Sequence, residues 1–288
     1  MDYRKASKTR VRVTAVSGEN ARQRSDWLAT EEPLEIRVTD ATTLDQVLTH
    51  VTMRTPGSDF ELAAGLLLSE GIIARSEQIR QMEFCVGPAA IQQYNIVSVE
   101  VTDPELGGRA GSYFRTAVSA CGVCGKASLD ELVLRGVEPV TAELTIDQAA
   151  IEHLPGLLRE RQTLFESTGG LHGAALFTAS GELLAVREDV GRHNAVDKLL
   201  GWAMLNPDRS GGRAVLMVSG RLSYELALKA VVGRVSVLAG VSAPSSLAVD
   251  LASEFGLTLI GFLRGDSFNV YAGHQRLKLS GSANQRAT

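Results

Sequence analysis

The chain has 288 residues and a formal net charge of −4, so it is long enough for one large domain or two ordinary ones. Hydrophobic residues make up 44% and charged residues 22%, which is the composition of a globular protein with an apolar core. The acidic balance argues against a general nucleic-acid binder. No apolar run approaches the roughly 20 residues of a membrane helix, and the first residues lack a secretory signal. These features predict a cytoplasmic protein.

The first residues form a basic segment. A tail of this kind can bind an anionic partner, but a polar terminal segment is more often a solvated arm. We therefore predict a flexible basic arm over residues 1–30. Residues 1–24 contain two acidic residues, Asp2 and Glu19. They contain seven basic residues: Arg4, Lys5, Lys8, Arg10, Arg12, Arg22 and Arg24.

Residues 31–116 are predicted to form a small α+β domain. Runs rich in Val, Ile and Thr predict its strands. Ser58 and Glu61 have the spacing of a capping box and predict a helix that ends near Glu70. The strands are predicted at residues 34–39, 46–53 and 92–101.

Residues 128–288 alternate between helical and strand patterns and form the larger predicted domain. This alternation predicts a predominantly parallel sheet covered by helices. Ligands of such sheets bind beyond the carboxyl ends of the strands, where helix N-termini expose N–H donors. The loops expected to carry the ligand are 188–193, 219–221 and 240–246. Helices are predicted at 147–161, 192–205, 222–232 and from 245 to about 255, and strands at 172–178, 183–187, 213–218, 236–239, 257–263 and 268–271.

Cys121 and Cys124 form a C-x-x-C pair in a glycine-rich stretch, which predicts a mobile loop over residues 117–127. The thiolate is the reactive form of cysteine, and Lys126 is a nearby cation that favours it. Zinc binding lacks an evident set of further ligands, and the order of the cysteines and His172 excludes the zinc deaminase pattern. Thiol–disulfide exchange, sulfur carriage and a pair of unreactive cysteines all remain open.

Three segments that join strands and helices combine glycines with imidazole or cationic side chains. Such segments can bring backbone N–H groups to a phosphate, although tight turns and a satisfied core histidine explain part of the pattern equally well. A fourth segment, residues 262–267, is a hairpin turn when it is considered by itself. The candidate ligand-binding residues in the first three segments are Gly169, Gly170, His172, Arg192, His193, Ser219, Gly220 and Arg221.

Taken together, the motifs resemble those of the formate dehydrogenase accessory sulfurtransferase family over about residues 34 to 277. Each motif alone is weak, but six of them in order are specific. The resemblance implies that the larger domain is a three-layer mixed sheet, similar to cytidine deaminases without the zinc, and that the protein is a homodimer. The motifs that carry it are residues 54–65, Cys121-Gly122-Val123-Cys124-Gly125, residues 168–172, residues 188–198, Ser219-Gly220-Arg221 and residues 261–265.

The resemblance also implies a function. Cys121 would accept sulfur from a cysteine desulfurase as a persulfide and deliver it to a molybdenum or tungsten bis-guanine-dinucleotide cofactor for formate dehydrogenase, with Cys124 assisting. The alternatives are a thiol–disulfide oxidoreductase that uses both cysteines and a non-catalytic cofactor chaperone. No zinc, nucleic acid or membrane is expected to bind. The residues implied to line the guanine dinucleotide are Phe262, Leu263, Arg264, Gly265, Asp266 and Ser267.

Overall fold

The computed structural model describes residues 6–86, 92, 94–103, 105–108, 137–141 and 143–280. The strands and helices of this part form an N-terminal hairpin, a four-stranded sheet with one helix, a six-stranded sheet with helices on both faces, and a short two-stranded parallel pair. None of its helices is long and apolar enough to cross a membrane. The predicted boundary at residue 116 and the predicted loop 117–127 lie outside the described residues.

The elements are numbered in chain order. The strands are β1 (Lys8–Ser17), β2 (Asn20–Ala29), β3 (Glu32–Asp40), β4 (Gln46–Arg54), β5 (Ile79–Phe84), β6 (Ile96–Val101), β7 (Ile146–Asp147), β8 (His172–Thr178), β9 (Leu183–Asp189), β10 (Arg213–Val218), β11 (Val237–Gly240), β12 (Thr258–Arg264), β13 (Ser267–Ala272) and β14 (Leu277–Lys278). The helices are α1 (Asp59–Ser69), α2 (Gln148–Arg161), α3 (Thr163–Thr168), α4 (Arg192–Leu205), α5 (Pro207–Ser210), α6 (Tyr224–Val232) and α7 (Ser246–Glu254).

Strands β1 and β2 pair as an antiparallel hairpin, so the expectation of a flexible arm over residues 1–30 is corrected for residues 8–29. The sequence signal is the alternation of Val11, Val13 and Ala15 with polar residues, a period of two that suits a strand regardless of charge. The base of the hairpin is anchored because the Ser7 hydroxyl donates a hydrogen bond to the Pro56 carbonyl at 2.9 Å.

The small sheet has the strand order β4-β3-β6-β5 and packs its apolar face on α1. The strands predicted at 34–39 and 46–53 are confirmed as β3 and β4, whereas β6 begins at Ile96 and β5 was not predicted. The helix from Ser58 is confirmed, but its capping box is wrong. Ser58 has a φ of 55° and makes no side-chain capping bond, and the Glu61 carboxylate binds Arg187 instead.

The large sheet has the order β13-β12-β11-β10-β8-β9 and is mixed. Only the β10–β11 and β11–β12 pairs are parallel, so the prediction from alternation of a predominantly parallel sheet is wrong. The reason is the short connections: residues 179–182 join β8 to β9 and residues 265–266 join β12 to β13, which only antiparallel neighbours allow.

Helices cover both faces of the large sheet. Helix α2 lies on one face, and α4, α6 and α7 lie on the other. The mixed α/β architecture implied by the family resemblance is therefore confirmed, while the specific likeness to cytidine deaminases stays a prediction. The Ser245 cap of α7 is also confirmed, because its side chain accepts a hydrogen bond from the Ala248 N–H at 3.3 Å.

The two sheets are joined by the contact between α1 and α4, whose backbones touch at two glycines. A Cβ atom built on Gly65 would overlap the Asp197 carbonyl and lie 2.9 Å from the Gly201 nitrogen. A Cβ atom built on Gly201 would overlap the Glu61 carbonyl and lie 2.7 Å from the Gly65 nitrogen. Real Cβ contacts are not this short, so only glycine fits at either position.

We expect Gly201→Ala to lower the free energy of unfolding by about 3 kcal/mol or more, because α1 and α4 must separate to admit the methyl group. Gly156→Ala is the matched control, since Gly156 is also helical and has open space around it. It should raise stability by about 0.5–1 kcal/mol. Urea unfolding of both variants checks the prediction, and equal effects of the two would contradict the close helix contact.

Candidate functional site

The loops predicted to carry a ligand lie at one edge of the large sheet. Strands β9, β10, β11 and β12 all end at this edge, and β8 and β13 begin there because they run antiparallel to their neighbours. In the β8–β9 ladder His172 lies opposite Asp189. The prediction that these segments meet at the carboxyl ends of the strands is therefore confirmed, while their roles in binding stay predictions.

Gly169 and Gly170 lie at this edge, between α3 and β8. Gly169 has a φ of 68° and ends α3, with its N–H donating to the Phe165 carbonyl at 2.7 Å. This is the usual conformation of a glycine after a helix, so the helix end accounts for Gly169 without a ligand. Helix α3 itself was not predicted.

The beginning of β8 is tied to the end of β10. The Ser219 N–H donates to the Gly173 carbonyl, and the Gly173 N–H donates to the Ser219 hydroxyl, both at 2.9 Å. A Cβ atom on Gly220 would lie 3.6 Å from Nδ1 of His172, and Arg221 is exposed beyond it. The structure thus brings His172 and the 219–221 segment together.

The side chains of His172 and His193 are both half-buried, and their surroundings lower the pKa of each imidazole ring. Burial lowers the pKa of His172, and Arg192 lowers it further against the opposing effect of Asp189. Burial also lowers the pKa of His193, followed by the positive charges of Arg192 and Lys229. Both imidazoles are therefore neutral at pH 7 and able to accept a proton or a hydrogen bond.

Arg192 and His193 occupy the first turn of α4. Nε2 of His193 is 3.5 Å from the Ser223 hydroxyl and 3.8 Å from the Glu225 carboxylate. The buried Nε of Arg192 has no hydrogen-bond partner within the part of the chain that the structure describes. An unsatisfied buried N–H is costly, which makes this guanidinium a candidate for contact with a bound anion.

The predicted cofactor turn, residues 262–267, comprises the end of β12, the connection 265–266 and the first residue of β13. Phe262 has a φ of 53°, and its side chain is 39% exposed. The side chain of Arg264 reaches back to the Val241 carbonyl, 3.4 Å from Nε, and Gly265 has a φ of 60°. Leu263 is wholly buried in the core, so it can meet a ligand only through its main chain.

Sequence reasoning missed a buried ion pair that holds the β9–α4 turn. The Asp189 carboxylate is 2.7 Å from Nζ of Lys198 and accepts N–H bonds from Thr55 at 3.1 Å and Gly191 at 2.9 Å. Lys198 also donates to the Thr55 carbonyl at 2.8 Å. The signal in the sequence is Lys198 itself, a charged residue beside apolar residues on the buried side of a helix.

Two more ion pairs lie at the contact between the two sheets, and a third lies within the small domain. Asp197 pairs with Lys229 at 2.6 Å and accepts a hydrogen bond from Ser69 at 2.7 Å. Arg187 binds Glu61 through two nitrogens at 2.5 and 2.7 Å. Arg54 pairs with Asp59 at 2.8 Å in the small domain. These pairs connect α1 and β4 to the elements that carry the site.

The thiol pair is the predicted reactive centre of the protein. Cys121 and Cys124 lie outside the described residues. Within those residues, no group of three or more His, Cys, Asp or Glu side chains is arranged to hold a metal ion.

Comparison with known proteins identifies the class of the chain. Residues 29–278 match the model of the FdhD/NarQ family. The chain is 49% identical to a protein of Streptomyces coelicolor, with 96% of each chain covered, and 41% identical to one of Sulfurisphaera tokodaii, with 93% and 98% covered. Both relatives are named sulfur carrier protein FdhD. This protein belongs to the FdhD/NarQ family, as its motifs indicate.

A solved structure shares the fold. It is a candidate formate dehydrogenase accessory protein from Desulfotalea psychrophila, which superposes with a TM-score of 0.72 at 24% identity and covers 94% of this chain and 99% of its own. At this identity the likeness shows that the two chains have the same architecture.

We expect Lys198→Met to lower the free energy of unfolding by about 3–5 kcal/mol, because it leaves the wholly buried Asp189 carboxylate without its cation. Lys278→Met, at an exposed lysine, is the control and should change stability by less than about 0.5 kcal/mol. In the double variant with Asp189→Asn the loss should be smaller than the sum of the two single losses. Additive losses in urea unfolding would show that the pair is not coupled.

The lowered pKa of His193 predicts a pH dependence of stability. The folded state binds the proton less readily than the unfolded chain, so stability is present above the ordinary pKa of about 6.5 and falls as the pH drops below it. His193→Gln should therefore lose less stability between about pH 7.5 and about pH 5.5 than the unchanged protein. Urea unfolding at both pH values measures this, with the exposed His153→Gln as the control. A His193→Gln slope equal to that of the control would contradict it.

Proposed function

We propose that this protein is a sulfur carrier in the maturation of formate dehydrogenase. Cys121 receives sulfur from a cysteine desulfurase and passes it to a molybdenum or tungsten bis-guanine-dinucleotide cofactor, which binds at the edge of the large sheet as a substrate. The observation that carries the proposal is the family membership, with relatives named sulfur carrier protein that match nearly the whole chain.

The first step is an exchange at sulfur. The Cys121 thiolate attacks the outer sulfur of the persulfide on the desulfurase, the sulfur–sulfur bond of the donor breaks, and the donor cysteine leaves as a thiolate. The product is a Cys121 persulfide, and no net oxidation occurs. A low thiol pKa favours this attack because the thiolate is the nucleophile.

The second step transfers the outer sulfur to the cofactor substrate. The sulfur–sulfur bond of the Cys121 persulfide breaks, and the outer sulfur takes two electrons from the reduced metal and remains bound to it as sulfide. The Cys121 thiolate is regenerated. Cys124 assists the transfer.

The geometry of the edge supports cofactor binding. The cofactor carries pyrophosphate groups, and the edge presents arginines and backbone N–H groups that suit anions. The cationic residues there are Arg192, Arg221 and Arg264, none of which forms an ion pair among residues 6–86 or 143–280. A homodimer in the cytoplasm is part of the proposal and follows from the same family.

We expect one added sulfur on the Cys121 peptide after incubation with a cysteine desulfurase and cysteine, measured by mass spectrometry. Cys121→Ser should abolish this addition and leave formate dehydrogenase inactive in cells, because the nucleophile is lost. Cys124→Ser is the matched control and should keep the addition.

Other outcomes favour the alternatives. Reduction of insulin disulfides that needs both cysteines equally would indicate a thiol–disulfide oxidoreductase. Normal maturation of formate dehydrogenase by Cys121→Ser would indicate a cofactor chaperone.

A further inference from the structure

The hairpin of β1 and β2 is anchored at its base and exposed along its length. None of the residues in these two strands is buried. At the base, the Ser7 hydroxyl donates to the Pro56 carbonyl at 2.9 Å, and a Cβ atom built on Gly170 would lie 3.8 Å from the Ala29 Cβ. The base of the hairpin therefore lies beside the edge of the large sheet that carries the candidate site.

The outer edge of β1 is unpaired. Among the described strands β1 pairs only with β2, and α3 packs beside β2. A two-stranded hairpin is at best marginally stable in water by itself. An unpaired strand edge presents a row of N–H and C=O groups that can pair with a strand of another chain. The hairpin thus offers the ten residues of β1 as a template for strand addition.

The two faces of the hairpin differ in charge. Residues opposite each other in an antiparallel pair share a face, and the register places Arg10 opposite Trp27. We call this side the Trp27 face; it carries three cations and no carboxylate, and within the described residues these cations form no ion pair. On the other face Arg24 pairs with Asp26 at 3.2 Å. The strand residues of the Trp27 face are Lys8, Arg10, Arg12, Thr14, Val16, Ala21, Gln23, Ser25, Trp27 and Ala29.

Trp27 lies among the cations of this face. It is 40% exposed, and Nζ of Lys8 lies 5.0 Å from the centroid of its ring. Charges on an edge strand can serve only to prevent aggregation, which explains the cations but not an exposed indole among them. Trp and Arg are instead the residue types enriched at the energetic centres of protein interfaces, and guanidinium groups bind carboxylates through two parallel hydrogen bonds.

We propose that β1 binds an extended acidic segment of a partner protein by strand addition, with carboxylates at alternate positions of that segment facing Arg10 and Arg12. Side chains alternate between the faces of a strand, so every second residue of the added strand lies on the Trp27 face. Opposite charges across neighbouring strands stabilise the pairing and like charges oppose it, so the cations of β1 select an acidic segment. The inference goes beyond the proposed function, which requires protein partners but identifies no surface that binds them.

The test measures binding of a fluorescein-labelled peptide that alternates Glu and Thr to the full chain, by fluorescence anisotropy. A peptide with Gln in place of Glu is the control, and it should bind about tenfold more weakly because the cross-strand charge pairs are lost. Measurement at physiological ionic strength screens charges farther away than about 8 Å. Amide hydrogen exchange of residues 8–17 should slow when the Glu peptide binds, because the added strand pairs with β1.

Variants of the two faces separate local pairing from net charge. Arg10→Gln combined with Arg12→Gln should raise the Kd of the Glu peptide about tenfold. Arg22→Gln combined with Arg24→Gln is the matched control, because it removes the same charge from the opposite face of the same hairpin, and it should change the Kd by less than about twofold. Charge reversal by Arg10→Glu with Arg12→Glu should transfer binding to a peptide that alternates Lys and Thr, which also shows that the hairpin still folds.

Several outcomes would overturn the proposal. These are equal effects of the two Gln double variants, failure of the charge-reversed protein to bind the Lys peptide, and unchanged amide exchange in β1. Tighter binding of phosphatidylserine vesicles or of single-stranded DNA through Arg10 and Arg12 would assign the hairpin to a membrane surface or to a nucleic acid instead. A changed oligomeric state of the Arg10→Gln, Arg12→Gln protein would assign it to a second copy of the chain. Sulfur addition to Cys121 tests the proposed function independently of all these results.

Discussion

The structure depends on the contact between α1 and α4, where Gly65 and Gly201 let two helix backbones touch. At these two glycines no side chain lies between the helices, so the distance between α1 and α4 is set there by main-chain atoms, which have no rotamers. Burial at the contact removes water from the charged residues around it. Asp197 is 1% exposed, and it is satisfied by Lys229 and Ser69, one from each side of the contact.

The small domain also contacts the site, through the buried pair Asp189 and Lys198. Both side chains are buried where the Thr55 main chain of the small domain meets the β9–α4 turn. Each carboxylate oxygen and the ammonium group have partners, which is the condition under which a buried ion pair is tolerated. The Thr55 main chain thus bonds to the Asp189 and Lys198 side chains, which hold the turn that Arg192 follows. The small domain therefore contributes to the site without lining it.

The sequence predicted the elements whose apolar residues follow a clear period, such as β8, α4 and β10, and it placed the polar loops at one edge because that edge follows from strand direction. It failed where the deciding partner is distant in the chain. Glu61 has the spacing of a capping residue, but Arg187 binds it. Gly65 considered alone suggests a destabilising position in a helix, because glycine has a low helix propensity. The structure shows that it allows the close contact with Gly201. Gln162, between α2 and α3, is 4% exposed and lies over Gly173 of β8, a contact that the sequence pattern does not predict.

The electrostatics of the edge explain how an acidic chain can offer a site for an anion. Two carboxylates near the edge have partners within the protein: Asp189 pairs with Lys198, and Glu188 accepts hydrogen bonds from the N–H groups of Leu164 and Phe165 at 3.0 and 2.7 Å. The negative charges of these two carboxylates are therefore stabilised by partners within the protein. Among the described residues Arg192, Arg221 and Arg264 form no ion pair, and the Arg264 side chain contacts the Val241 carbonyl. Although the net charge of the chain is −4, these three arginines place positive charge at the edge, and local charge influences which ligand approaches.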